Sequence, residues 1–304
     1  MTDTGPGDDR LTTSERREVA REKAKELRLA QKKLDRRNRW LLQGGLAVVA
    51  VAIIATVTLI IVNSVRPAAP GPRNMLSDGI KIGQNFEAVQ TVGLAADKSP
   101  VPSTKNTDDV IDIRLYIDYN CKFCAEFEAE NNEQIAAWIS EGAATVEIHP
   151  ISLLDGESAA TQYSTRAANA AACVANYSPN SFFDVNAALF AEQPGEGEPG
   201  LNDAALFDVI RGADVSNANA IEKCIHDQQF RPWVKDATAR ALNGPIPDSE
   251  VDKVRGAPTI LVNGAKYNYS RPFEAQEFGQ VVSQAAGSVF NKKSTETPAP
   301  VPTP

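Results

Sequence analysis

Residues 111–124 read IDIRLYIDYNCKFC, an apolar run from Ile111 to Ile117 that leads into Cys121-Lys122-Phe123-Cys124. The run has strand composition and residues 125–139 carry a helical pattern, so the CxxC spacing falls on a strand-to-helix turn. A helix start offers unpaired backbone N–H groups and the positive end of the helix dipole, and both favour a thiolate over a thiol at the first cysteine. Cys121 is therefore the candidate redox nucleophile and Cys124 its resolving partner. Residues 144–148 read as a second strand, which completes a βαβ unit with two parallel neighbours.

Upstream, residues 1–39 hold twelve Lys/Arg against eight Asp/Glu, with Lys32, Lys33, Arg36, Arg37 and Arg39 just ahead of Trp40. Residues 40–65 contain no charged side chain, a length that suits one transmembrane helix. Only Arg66 and Arg73 follow closely, so the charge bias puts residues 1–39 in the cytoplasm and the rest outside the plasma membrane. A secretory signal peptide is the rival reading, but the basic segment and the apolar stretch are both long for one. Either way the globular part is outside. The chain carries a net −8, and subtracting the +4 of residues 1–39 leaves −12 for residues 66–304. Such a surface has no basic excess with which to hold nucleic acid.

The remaining organisation follows from composition. Residues 1–39 read as a basic helical segment, opened by capping-box spacing at Thr12 and Glu15 and striped thinly with Ala20, Ala24, Leu27 and Leu34. Residues 66–74 read as a proline-containing linker, 75–290 as one globular domain, and 291–304 as a disordered, proline-rich tail. Within the domain, residues 79–82 suggest an edge strand. Residues 158–245 are alanine-rich with helical periodicity, interrupted by a loop at 193–200. Strand signals return at 258–262 and 266–269 around an Asn263-Gly264 turn, and a last helix is expected over 273–290. The fold class is α/β, a mixed sheet with a helical insertion and one preceding transmembrane helix.

A CxxC motif between strand and helix, a helical insertion, and Gly256-Ala257-Pro258-Thr259 ahead of a strand-turn-strand together resemble the DsbA-like branch of the thioredoxin superfamily, in its membrane-anchored actinobacterial form. The resemblance runs from about Ile111 to Phe290. It implies a cis peptide at Pro258 lying against the redox pair, with Ala257 and Pro258 forming the edge on which a substrate strand docks. Phe127-Glu128 after the motif is similar to the family's, but Lys122 and Phe123 replace the Pro-His pair of strongly oxidising members. Lys122 can favour the Cys121 thiolate by charge, whereas Phe123 supplies no histidine hydrogen bond. Leu115, six residues before Cys121, occupies the place where many relatives keep a buried acid, so water, Glu126 or Glu128 must take that acid's part in proton transfer.

The other candidates have blander readings. A zinc site built on Cys121 and Cys124 would need Cys173 and Cys224, or His149 and His226, and none of these forms a second ligand pair at metal-binding spacing. No metal or cofactor is expected. If Cys121 pairs with Cys124, then Cys173 and Cys224 pair with each other or stay free, and an exported chain favours the disulfide. Such a bridge is structural, and closing its loop stabilises the domain by about 4 kcal/mol in the chain-entropy view. His149, before Pro150 at the end of the second strand, is expected to be hydrogen-bonded there. His226 is read on a solvated helix face. Trp138, Phe182 and Phe183 are read as core.

The sequence thus predicts a thiol-disulfide oxidoreductase that acts on exported protein thiols, with a quinone-linked membrane partner implied by the resemblance. Reductase or isomerase work uses the same residues. Two rivals remain: a thioredoxin-fold binding module in which both disulfides are structural, and a signalling anchor that works through residues 1–65.

Overall fold

The computed structural model describes residues 70–107 and 109–295, with side chains to Ser288; of the first 69 residues it describes only Lys25 and Lys32, both helical. The expected transmembrane segment, residues 40–65, lies outside the described residues, and among those no helix is long and apolar enough to cross a membrane.

Among the described residues five strands form one sheet: β1 (Ile80–Ile82), β2 (Ile111–Ile117), β3 (Ala144–Pro150), β4 (Thr259–Val262) and β5 (Ala265–Lys266), in the spatial order β1-β3-β2-β4-β5. β2 and β3 are parallel, with Ile113 opposite Val146 and Tyr116 opposite His149. β1 lies antiparallel on β3, β4 on β2, and β5 on β4. The β4–β5 turn is the expected Asn263-Gly264 pair, both at positive φ (49° and 80°), the backbone that a two-residue hairpin of this twist requires. The last strand stops at Lys266 rather than Tyr269. Beyond Lys266 the chain turns so that the Tyr269 hydroxyl reaches the Pro258 carbonyl at 3.3 Å.

Helix α1 (Lys122–Ser140) connects β2 to β3. It buries Cys124, Phe127, Glu128, Asn131, Ile135 and Ile139, a stripe at three- and four-residue spacing that faces the sheet. It ends at Gly142, whose φ of 72° suits a helix-terminating glycine and whose N–H donates to Ile139 at 3.0 Å. On β2 the alternation divides the sheet faces. Ile111, Ile113, Leu115 and Ile117 join the main core with α1, while Tyr116 joins a second cluster with Ile246, Val254 and Leu261.

Between β3 and β4 lie five helices: α2 (Tyr163–Tyr177), α3 (Phe182–Ala191), α4 (Asp203–Gly212), α5 (Ala218–His226) and α6 (Arg231–Asn243). α2 is buried almost all round, with Ala167, Ala168, Ala170, Ala171, Ala172 and Ala175 at 0 % exposure. Methyl-sized side chains let neighbouring helices approach from several sides, which is why alanine rather than leucine fills this segment. Cys173 on α2 and Cys224 on α5 form a disulfide across 51 residues of sequence. Phe182 and Phe183 are buried and Trp138 packs half-buried against the core, as expected; His226 is exposed.

Two boundaries shift. Residues 71–74, read as linker, are part of the folded domain: Gly71 N–H donates to Leu94 at 2.7 Å and Asn74 Nδ2 to Ala175 at 2.8 Å. A Cβ at Gly71 would stand 2.7 Å from the Trp233 ring, so the glycine is there to let the chain cross an indole. At the other end α7 (Ala275–Thr295) continues five residues into the stretch read as tail. Asn291 to Thr295 contain no helix breaker, and Lys292 and Lys293 suit a helix C-terminus.

Candidate active site

Cys121 is the N-cap of α1, in extended backbone conformation (φ −86°, ψ 109°). That places its Sγ over the first turn, where it accepts from the Cys124 N–H at 3.2 Å. Its thiol form donates to the Ala257 carbonyl at 3.2 Å, and the Ala257–Pro258 peptide is cis. The structure therefore brings Cys121, Cys124, Ala257 and Pro258 together, although 136 residues separate Cys121 from Ala257. Both cysteines are free thiols and nearly buried, at 3 % and 1 % exposure.

Their acidities diverge. The Cys124 thiol, donating to Cys121, lowers the Cys121 pKa against the cost of burial, helped by the backbone N–H groups of Cys124 and Phe123. Burial pushes the Cys124 thiol well above the ordinary range, and the negative sulfur of Cys121 pushes it further. The two shifts run in opposite directions, Cys121 towards its thiolate and Cys124 towards its thiol, the division that nucleophile and resolving cysteine need. Lys122 is exposed, and the Cys124 thiol is the largest cause of the Cys121 shift. Phe123 acts through its backbone; its ring is 37 % exposed, with the Arg271 guanidinium 3.9 Å from the ring centroid.

Several residues around the pair were not singled out in the sequence. Asp118, fully buried, accepts from the N–H groups of Asn120 (2.8 Å), Leu153 (2.7 Å) and Leu154 (2.9 Å). It ties the β2–α1 turn to the chain after β3. Burial raises its pKa against these donors, and its charge raises both cysteines. Gln193, just after α3, donates through Nε2 to the carbonyls of Tyr119 (2.8 Å) and Cys121 (3.1 Å). The helical block thereby holds the redox turn directly. Tyr269 stands beside the cis proline; burial raises its pKa, and the two cysteines add to the effect. Glu126 is half-exposed, but Glu128, one helical turn after Cys124, is buried. Burial lifts its carboxyl to about 7 in spite of a hydrogen bond from Asn186 Nδ2 at 3.1 Å. Asn186 Oδ1 in turn accepts from the Tyr119 hydroxyl at 3.0 Å. Leu115 is core, as its place on β2 dictates.

His149 corrects one expectation. It is not hydrogen-bonded: both ring nitrogens are buried without a partner, the Glu147 carboxylate stands 3.6 Å away, and Tyr116 stacks on the ring at 4.4 Å. Burial lowers its pKa. Strand alternation sends it to the sheet face opposite the cysteines, where it lines a cavity of about 480 Å³ with Lys81, Arg114 and Glu147. Among the described residues no group of three or more His, Cys, Asp or Glu side chains is placed to hold a metal ion.

The sequence profile of the thioredoxin family matches residues 106–281. Among solved structures, oxidised DsbA from Mycobacterium tuberculosis is similar at 25% identity over 72% of this chain and 100% of its own, with a TM-score of 0.52. The reduced disulfide bond oxidoreductase DsbG from Mycobacterium tuberculosis is similar at 26% over 73% of this chain and 95% of its own, with a TM-score of 0.51. BdbD from Bacillus subtilis, at 17% identity over 73% of this chain and 100% of its own and a TM-score of 0.50, shares the fold. No curated protein matches. With a profile match over more than half its length and a cysteine pair at the mouth of α1 facing a cis proline, the chain belongs to the thioredoxin family.

Proposed function

We propose that the chain is a DsbA-like thiol-disulfide oxidoreductase, tethered to the plasma membrane by residues 40–65 and acting outside it to promote disulfide formation in exported proteins. The observation that carries the reading is the Cys121 sulfur, which caps α1, accepts from Cys124 N–H and faces the carbonyl before Pro258. The oxidised DsbA and the disulfide bond oxidoreductase DsbG it resembles support the reaction class. The basic segment ahead of an uncharged 26-residue stretch supports the tether.

A substrate thiolate attacks the Cys121 sulfur of a Cys121–Cys124 disulfide. The new sulfur–sulfur bond forms as the old one breaks, and Cys124 leaves as thiolate. Cys124 is buried and held towards its thiol form, so it takes up a proton, and Glu128, with its carboxyl near neutrality on the same helix face, is the group we assign to supply it. A second substrate thiolate then attacks the substrate sulfur of the mixed disulfide and releases Cys121, which its donors stabilise as thiolate. Two electrons have passed from the substrate to the pair, and we assign their removal to a quinone-linked membrane partner. Ala257 and Pro258 offer the edge along which the substrate backbone lies.

The test is the reduction potential of the Cys121–Cys124 pair in the full chain, equilibrated with glutathione buffers. An oxidase is expected above about −180 mV, and a value at or below about −270 mV would reverse the direction to reductase work. Cells carrying Cys121→Ser and Cys124→Ser together should lose disulfides in exported proteins. Unchanged substrate disulfides in those cells would remove the enzyme reading and leave the binding module.

A further inference from the structure

The exchange chemistry uses the sulfurs and the Ala257 edge, but not the side chains that rim them. Phe123 lies between the two cysteines in the chain and is partly exposed, and Arg271 lies over its ring at 3.9 Å. A guanidinium stacked on an aromatic ring is fixed in orientation while its N–H edge stays free, ready for the two oxygens of a carboxylate. Arg271 is exposed, as are Lys122, next to Cys121, and Arg255, two residues before Ala257. Among the described residues none of these three has a carboxylate at ion-pair distance. Lys81, Arg114, Arg166 and Arg240 are each paired, whereas other exposed cations such as Lys98, Lys235, Lys253 and Lys266 stand like these three without a carboxylate at ion-pair distance among the described residues. What sets Arg271 apart is its ring contact with a residue of the CxxC turn, in a region of net charge −12, where its free edge can take a partner from outside the chain.

Nearby acids do not fill that place. Glu126 lies two residues after Cys124, Glu274 three after Arg271, and Glu192, Glu196 and Glu198 flank Gln193, with Glu198 turned to the Gly195 N–H at 3.2 Å. None is paired with Lys122, Arg255 or Arg271. We infer that Arg271, stacked on Phe123 and supported by Lys122 and Arg255, is a specificity-determining residue that selects substrate thiols flanked by carboxylate side chains. The inference deepens the proposed function and rests on it. A substrate strand laid along Ala257–Pro258 with its cysteine at Cys121 carries its neighbouring side chains over the Phe123 ring, within reach of the free guanidinium edge. At about 0.15 M ionic strength the screening length is roughly 8 Å, so these local charges outweigh the distant net charge of the domain.

The experiment uses the full chain in detergent, oxidised with glutathione disulfide and freed of excess. Its reaction is followed with dithiothreitol and with three peptides of equal length, each holding one cysteine flanked by Glu, Gln or Lys. At 0.15 M ionic strength the Glu peptide should open the Cys121–Cys124 bond to the mixed disulfide at Cys121, with Cys124 leaving as thiolate, about tenfold faster than the Lys peptide. A second peptide thiol then releases Cys121 and the peptide disulfide. Arg271→Glu should bring that ratio to one or below, and Arg271→Gln should fall between. A wild-type ratio of one or less, or a ratio that Arg271→Glu leaves unmoved, overturns the inference while a normal dithiothreitol reaction leaves the oxidoreductase reading standing. If neither dithiothreitol nor any peptide reduces the pair, that reading falls and the inference with it.

Discussion

The two cysteine pairs of this chain are equally buried and differently made. Cys121 and Cys124 are three residues apart, at a helix N-terminus, among Asp118, Glu128, Tyr119 and Asn186. Cys173 and Cys224 stand 51 residues apart inside helix bodies, among alanines, Val174, Ile221 and Ile225. Burial alone makes a thiol inert by penalising its charged form. What separates the pairs is the supply of donors: α1 delivers N–H groups and a thiol to Cys121, whereas in mid-helix every nearby backbone N–H is committed to its own carbonyl four residues back. On the proposed function the same side chain is a redox group in one place and a staple in the other.

The largest expected effect breaks the comparison at its first member. Cys121→Ser should slow oxidation of a dithiol peptide at least about a thousandfold, because a hydroxyl cannot form the mixed disulfide; residual turnover near wild type would move the chemistry to another cysteine. Its counterpart is Cys173→Ala with Cys224→Ala, which should keep exchange activity. That double variant should lose about 4 kcal/mol of stability in the chain-entropy view, a fall of roughly 10 °C in melting temperature. Calorimetry and the peptide assay on one preparation decide it: lost exchange with an unchanged melting temperature would invert the assignment of the two pairs.

Next is Glu128, the titrating neighbour that the staple lacks. Its folded carboxyl is lifted to about 7 from 4.5, so the folded state binds more protons than the unfolded state between those values. Stability then falls as pH rises through that window, by about 3 kcal/mol from end to end. Glu128→Gln keeps an acceptor for Asn186 and removes the charge. It should flatten the pH 4.5–7 slope in urea unfolding midpoints and remove a step near pH 7 from the exchange rate. A slope that survives the substitution would assign it to Asp118, whose carboxyl burial also raises.

The backbone context of the redox pair could be read in advance because it is local: strand, CxxC and helix are contiguous, and so is the Asn263-Gly264 hairpin. The Ala257–Pro258 edge came from resemblance, since nothing near Pro258 in the chain tells it that Cys121 is opposite. What escaped notice arrives from far along the sequence. Gln193, Asn186 and Arg271 are ordinary polar residues whose role exists only once the helical block and the last loop close on α1. His149 was placed on the right strand but assumed to be satisfied, because alternation tells which face a side chain takes and not what waits there. Gly71 was read with its prolines as spacer, since the Trp233 ring it crosses lies 162 residues later.

The smallest effect tests whether the helical block reaches the redox turn as well as stapling itself. Gln193 Nε2 bridges the carbonyls of Tyr119 and Cys121, which precede and open α1. Gln193→Ala removes two neutral hydrogen bonds and leaves two carbonyls to water at a half-buried site, a loss of about 1–2 kcal/mol. The bonded carbonyls belong to the turn rather than to the sulfurs, so the Cys121 thiolate titration should move little. The exchange rate should fall severalfold, because the sulfur is less firmly aimed at the Ala257 edge. Gln193→Glu sharpens the reading: it offers acceptors where donors are needed, and repulsion from two carbonyl oxygens should make it worse than alanine in both rate and melting temperature. Equal behaviour of the two variants would mean that the Gln193 amide adds nothing to the packing at the turn's backbone, and would leave Asn186, through Tyr119 and Glu128, as the hydrogen-bonded link between the helical block and the redox pair.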